Sequence, residues 1–231
     1  MTAPGSDYQM DSFLHDLVSK NVRADDKILE YLSTTNVAKL GKVLLRLNRV
    51  RALDCKVLAA SSKRKKKKKQ LEGQQARLVG MLLERAIGVL LEGCKSVLEF
   101  DSNVRTTTSE IDFLMRMTAL STVVPMLRDA GTHVMGEAKC YSSGLKSEWF
   151  NELVGLMGIH GTSHGILFVA SPSKNLMPAH RFTLQSHSIM GKHIVPFGMA
   201  QVNQILGGAN FLKVLGNQFV AMRSGSGTLA I

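Results

Sequence analysis

Residues 135–141 read MGEAKCY and set a glutamate, Glu137, two positions before a lysine, Lys139, in a run that otherwise has the composition of a buried strand. Side chains alternate across a strand, so these opposite charges share one face while the small Ala138 meets the opposite layer. The same alternation in SEIDFLM puts Glu110 and Asp112 on one face, between apolar Ile111 and Phe113. Two neighbouring strands therefore each present an acid toward one side. Carboxylates brought together repel and raise one another's pKa unless a cation lies between them, and an oxygen-rich site suits Mg²⁺ or Mn²⁺. A protonated lysine cannot bind a metal. It can hold a water or hydroxide beside one, or offset the charge that develops on a phosphate under attack. Ordinary solvated charge is the rival reading, since most Glu and Lys side chains are exposed.

The elements that must position these residues follow from periodicity. From Asp11 to Ala60 apolar residues recur at helical spacing, as in Leu40, Val43, Leu44, Leu47 and Val50, with Thr34, Thr35 and Asn36 offering a capping start. The segment QQARLVGMLLERAIGVLLEGC reads as one helix ending at Gly93 as a left-handed cap. SVLEFDSNV, SEIDFLM and HVMGEAKCY then read as strands, KSEWFNELVGLMG as an amphipathic helix, and GILFVAS as a strand covered on both faces. The tail from Ile194 to Arg223 adds a strand, IVPF, and one or two helices broken near Gly207 and Gly208. The expected order is helix, three strands, helix, strand: an α/β core behind a helical N-terminal region.

That order, with SEID ending at Asp112, EAK at Glu137 to Lys139, and Glu84 on the upstream helix in GMLLE, resembles the PD-(D/E)XK nuclease superfamily and its restriction-endonuclease-like core. The resemblance covers roughly Gln74 to Ser171. An E-x-K triplet alone carries little; the apolar strand, the acid on the preceding strand and the glutamate on the preceding helix give it weight. The resemblance implies that Asp112 and Glu137 are the main ligands of Mg²⁺ or Mn²⁺, assisted by the Ala138 carbonyl. It makes Lys139 the group that positions or activates the attacking water. Glu84 reaches the metal directly or through water, with Glu92 and Glu99 as alternatives, and Gly80 and Gly88 let its helix approach the sheet. The departure is the 24 residues between the acids, which include TALSTVVPMLRDAG in place of a tight turn and leave the pairing of the two strands open.

The implied activity is Mg²⁺-dependent endonucleolytic hydrolysis of DNA, of the defence or restriction type. A structure-specific repair or junction-resolving nuclease is the alternative, as is a non-catalytic nucleic-acid-binding protein on the same fold. DNA is the expected partner, with a homodimer or a larger complex as the working assembly.

Charge points the same way. The net charge is +11, and the run Lys63, Arg64, Lys65, Lys66, Lys67, Lys68, Lys69 supplies seven of it, leaving 11 − 7 = +4 elsewhere. Such a run contacts phosphate, serves as an address label or is simply solvated. Phosphate contact is favoured because the acids and lysine point to nucleic acid independently. Tyr141, on the face of Glu137 and Lys139, lines a cleft or packs under the next loop. Lys146 and the Ser142–Gly144 loop are further phosphate candidates, although such loops also arise from turn chemistry alone. The reading divides the chain into a helical region over 1–62, a Lys-rich linker or basic helix over 63–73, and a nuclease domain over 74–231. Aromatic residues are only 6%, which argues against a broad base-stacking platform. Three widely spaced cysteines make neither a disulfide framework nor a zinc site, and His160 and His164 have no acidic or cysteine partner nearby in sequence. With no apolar run near 20 residues and no signal-like start, the expectation is a protein of a reducing compartment, cytoplasmic or, in a eukaryotic host, nuclear, with no membrane.

Overall fold

The computed structural model describes residues 24–53, 65–106, 109–140, 145–170 and 178–224. Among the described residues two helices come first, α1 (Ala24–Leu32) and α2 (Val37–Arg51), the second capped by Asn36, whose side chain accepts the Lys39 amide at 2.9 Å. A 28-residue helix, α3 (Lys65–Glu92), leads into β1 (Leu98–Arg105) and β2 (Glu110–Met117). A 3₁₀ turn (Ala119–Val123) and a short helix, α4 (Pro125–Asp129), precede β3 (His133–Cys140). The rest alternates: α5 (Ser147–Ile159), β4 (His164–Ala170), α6 (Pro178–Ile189), β5 (His193–Gly198), α7 (Met199–Leu206) and α8 (Phe211–Ser224).

The five strands form one mixed sheet in sequence order, antiparallel from β1 to β3 and parallel from β3 to β5. The long connection between the two acids therefore folds into its own small helical turn and still returns β3 beside β2. Every residue of β4 is buried, as a central parallel strand requires.

Each sheet face has its own core. On one, Phe113, Phe168 and Phe197 pack with Leu40, Leu44 and Leu47 of α2, Ile87 and Leu90 of α3, and Phe211 and Leu215 of α8. On the other, Met135, Leu167 and Val169 meet Trp149, Phe150 and Leu153 of α5 and Leu184 of α6. The N-terminal helix α2 thus shares a core with the sheet. Lys65–Lys69 open the continuous helix that carries Glu84, and Lys69 is exposed; Lys63 and Arg64 lie outside the described residues.

Two glycine readings are corrected. A Cβ at Gly80 or Gly88 would meet nothing within 4 Å, so neither brings α3 closer to the sheet. Gly93 is not in the left-handed region; it is small because a Cβ there would lie 3.0 Å from the Thr34 carbonyl oxygen. A close approach is instead found in the sheet at Gly136, where a Cβ would stand 3.0 Å from Phe113 Cβ, 3.1 Å from the Met115 methyl and 3.3 Å from the Phe168 ring, as it is at Gly165 of β4. Gly136→Ala overpacks the last paired position of β2 and β3 and should cost about 1–3 kcal/mol. Urea denaturation checks this; an unchanged midpoint would show that the neighbouring strand yields freely.

Candidate active site

The β2–β3 ladder runs from Arg116 opposite His133 to Phe113 opposite Gly136, and stops. The next residue on each strand is an acid: Asp112 on β2 and Glu137 on β3. Beyond this point β2 continues against β1, with Val104 opposite Ile111 and Arg105 opposite Glu110. β3 continues against β4 as far as Cys140 opposite Ala170. The two strands diverge where the acids stand.

Divergence leaves a β3 amide on the β2 side in need of an acceptor, because buried backbone donors are costly unpaired. The Asp112 carboxylate supplies it, accepting the Ala138 N–H at 2.7 Å through Oδ2. Glu137 and Lys139 share the face of Met135, where their side chains form an ion pair at 2.8 Å with only 13% and 18% exposure. Lys139 also reaches Glu152 of α5 at 3.4 Å. On the opposite face Ala138 and Cys140 pack against the first core.

Glu84 approaches from α3. Its Oε2 accepts the Asn103 side-chain amide at 3.4 Å. The alternative upstream acids are engaged elsewhere: Glu92 pairs with Lys39 at 2.7 Å and Glu99 with Arg116 at 3.8 Å. Glu110 lies at the exposed strand end, 3.9 Å from Arg105.

Electrostatically Asp112 is the acid that acts on both Glu84 and Glu137. Burial raises the pKa of Glu84, which Asn103 partly offsets and which Asp112 and Glu110 raise further. Burial also raises Asp112 against the lowering by the Ala138 N–H and Lys139. Glu137 is raised by burial, lowered by its bond to Lys139, and raised again by Asp112 and Glu152. Burial acts to lower Lys139, but Glu137 and Glu152 outweigh it and hold the ammonium above its ordinary value. Lys139 is therefore a fixed cation at neutral pH, suited to donating hydrogen bonds rather than to taking a proton.

Among the described residues no three or more His, Cys, Asp or Glu side chains converge into a ready-made metal cage. Mg²⁺ does not need one, since it keeps several waters and is commonly held by one or two carboxylates. Asp112 and Glu137, mutually repelling and partly buried, fit that donor set.

Lys146 is exposed just before α5. Tyr141 and the Ser142–Gly144 loop lie outside the described residues. Asn103 and Glu152 were missed by sequence reasoning. Asn103 has a left-handed backbone, φ 53°, and an Asn inside a strand pattern is the signal that marked it. Glu152 carried no signal, because nothing local tells which face of its helix overlies the site. The chain matches no family model, no curated protein and no solved structure.

The raised carboxylates fix a sign. Each binds a proton more readily in the folded chain, so the folded state is favoured below the ordinary carboxylate range and loses that advantage as pH rises through the raised values. Asp112→Asn keeps an oxygen for the Ala138 N–H and removes one repelling charge. In chelator at about pH 7 it should be at least as stable as the parent, with the difference narrowing at about pH 4, in the ordinary carboxylate range, because burial makes Asp112 take up a proton more readily than a free carboxylate. Urea denaturation at both pH values measures this. A clear loss of stability at neutral pH would mean that the charge of Asp112 is structural.

Proposed function

We propose that this chain is a divalent-cation-dependent nuclease with a PD-(D/E)XK-type site on a restriction-endonuclease-like core, hydrolysing phosphodiester bonds of DNA. The observation that carries the reading is the divergence of β2 from β3 at Asp112 and Glu137, with Lys139 beside them and Glu84 approaching from α3. A sheet held for stability alone gains nothing by gathering half-buried acids of raised pKa at the end of a ladder. Perturbed carboxylates gathered beside a specific charge partner are what a functional site needs, and they support this reading.

Asp112 and Glu137 would hold the cation, with the Ala138 carbonyl and Glu84 completing its surroundings. A bound Mg²⁺ would supply charge neutralisation at phosphorus and a lowered pKa for water. The chain's own residues do the rest. Lys139, cross-braced by Glu137 and Glu152, presents a protonated amine to the attacked phosphate or to the incoming water. Water adds to phosphorus as the bond to the leaving oxygen breaks in line, leaving one phosphate end and one hydroxyl end. The Ala138 N–H fixes the Asp112 carboxylate, so that its orientation is set before substrate arrives. The basic start of α3, on the same helix as Glu84, supports a polyanionic substrate.

Plasmid DNA with Mg²⁺ should be cleaved, and chelator should prevent it. Asp112→Asn and Glu137→Gln should abolish cleavage, and Lys139→Ala should lower its rate by about 10²–10³-fold while DNA affinity falls far less. Gel analysis of cleavage alongside a binding titration tests this. Full cleavage by either acid variant would refute the site, and equal losses of binding and cleavage would make Lys139 a docking residue.

A further inference from the structure

Between α3 and the hairpin of β1 and β2 lies a cleft of about 430 Å³ that shares a wall with the site just described. Glu84 belongs to both. The helix contributes Glu84, Arg85 and Gly88 to the cleft, and the sheet contributes Phe100, Ser102 and Asn103. Its charges cancel in number: Lys39 and Glu92 on its border pair at 2.7 Å, and Arg85 and Glu84 add one charge of each sign. What remains is the half-buried ring of Phe100, backed by the buried Phe113, and the exposed side chain of Met81, with a hydroxyl and an amide beside them. Such a lining does not draw in a phosphate. It suits a flat, uncharged ring with a hydrogen-bonding edge, for which apolar contact supplies affinity and a few polar groups fix orientation. Asn103 adds a second observation. It is the one non-glycine residue among the described residues with a positive φ, and backbone held in this sparsely populated region clusters at ligand sites. It also stands where the β1–β2 pairing skips a position, opposite Asp112.

We propose that this cleft is a subsite for one unpaired nucleobase, adjoining the phosphate addressed by Asp112, Glu137 and Lys139. Arg85, exposed beside it, meets the backbone of the same strand. The inference rests on the nuclease reading and narrows its substrate. A base in intact duplex is stacked and paired and must leave the helix to enter a pocket, which is easiest where it is already unpaired. The preferred substrate therefore carries a flap, loop, mismatch or frayed end beside the cut, and a fully paired duplex is the poorer one.

Gly88 provides the test. It lines the cleft, and a Cβ there meets nothing within 4 Å, so Gly88→Leu starts from open space, adds bulk to the cleft and replaces glycine with a stronger helix former. The probe is a flapped DNA with 2-aminopurine at the flap junction, titrated in chelator with the parent and with Gly88→Leu. Binding, followed by anisotropy of a distant dye, should change the 2-aminopurine fluorescence with the parent and not with Gly88→Leu. In Mg²⁺ the parent's preference for flapped over paired DNA should fall about tenfold or more in the variant, the scale of one lost base-stacking contact. Binding without a fluorescence change, or a Gly88→Leu protein indistinguishable from the parent, would overturn the subsite while Mg²⁺-dependent cleavage leaves the nuclease reading intact. Base capture that is lost in Gly88→Leu, in a protein that never cleaves, would keep the subsite and refute the nuclease.

Discussion

One hydrogen bond sits at the centre of this molecule: the Ala138 N–H donating to the Asp112 carboxylate at 2.7 Å. A sheet can be opened between two strands only if the backbone groups exposed by the opening find partners, because each one left unpaired in a buried place costs about 1–3 kcal/mol. Asp112 meets that need with a side chain instead of a carbonyl, and so allows β2 to follow β1 while β3 follows β4. The aromatic packing just before the opening holds the strands together up to their last pair. Phe113, Met115 and Phe168 close on Gly136 so tightly that a Cβ there would force its neighbours to give way. The break is therefore sharp, and the acids on either side of it are held in fixed places.

The same arrangement concentrates charge in a half-buried place. Glu84, Asp112 and Glu137 are each raised in pKa first by burial; Asp112 raises both of the others further, Glu110 raises Glu84 and Asp112, and Glu152 raises Glu137, while Lys139 and nearby hydrogen bonds oppose this. Removing the ammonium from between Glu137 and Glu152 would leave two acids facing each other. On the proposed reading this set would favour a bound cation, with Lys139, fixed as a cation by its neighbours, facing an anionic substrate. Among the upstream acids, Glu92 and Glu99 are tied to Lys39 and Arg116, which leaves Glu84 as the one whose charge reaches Asp112.

Much of this was legible in the sequence because it depends on local periodicity. The apolar run GILFVAS has to be an interior strand, and β4 is buried at every position; the two-residue spacing of Glu137 and Lys139 has to place them on one face, and they form an ion pair there. What periodicity cannot contain is register. Nothing in SEIDFLM or HVMGEAKCY says that their ladder ends at Phe113 and Gly136, so the opening itself was invisible, as was the hydrogen bond that spans it. Glycine roles were misread for the same reason. Gly80 and Gly88 look like close-approach residues by position, but only the packed structure tells that they face open space while Gly136 does not. Helix α6 escaped because PAHRFTLQSHSI buries little: Phe182 is 72% exposed and Ile189 87%, so no apolar stripe announces it.

The account stands on the claim that the opened strand ends hold a divalent cation between Asp112 and Glu137. Calorimetric titration of the metal-free protein with Mn²⁺ near neutral pH measures it directly. The account predicts saturable binding to the parent that is lost in Asp112→Asn and in Glu137→Gln, although both variants remain folded, and that weakens as acid protonates the carboxylates. Binding of unchanged strength in both variants, or no binding to the parent with or without DNA, would contradict it.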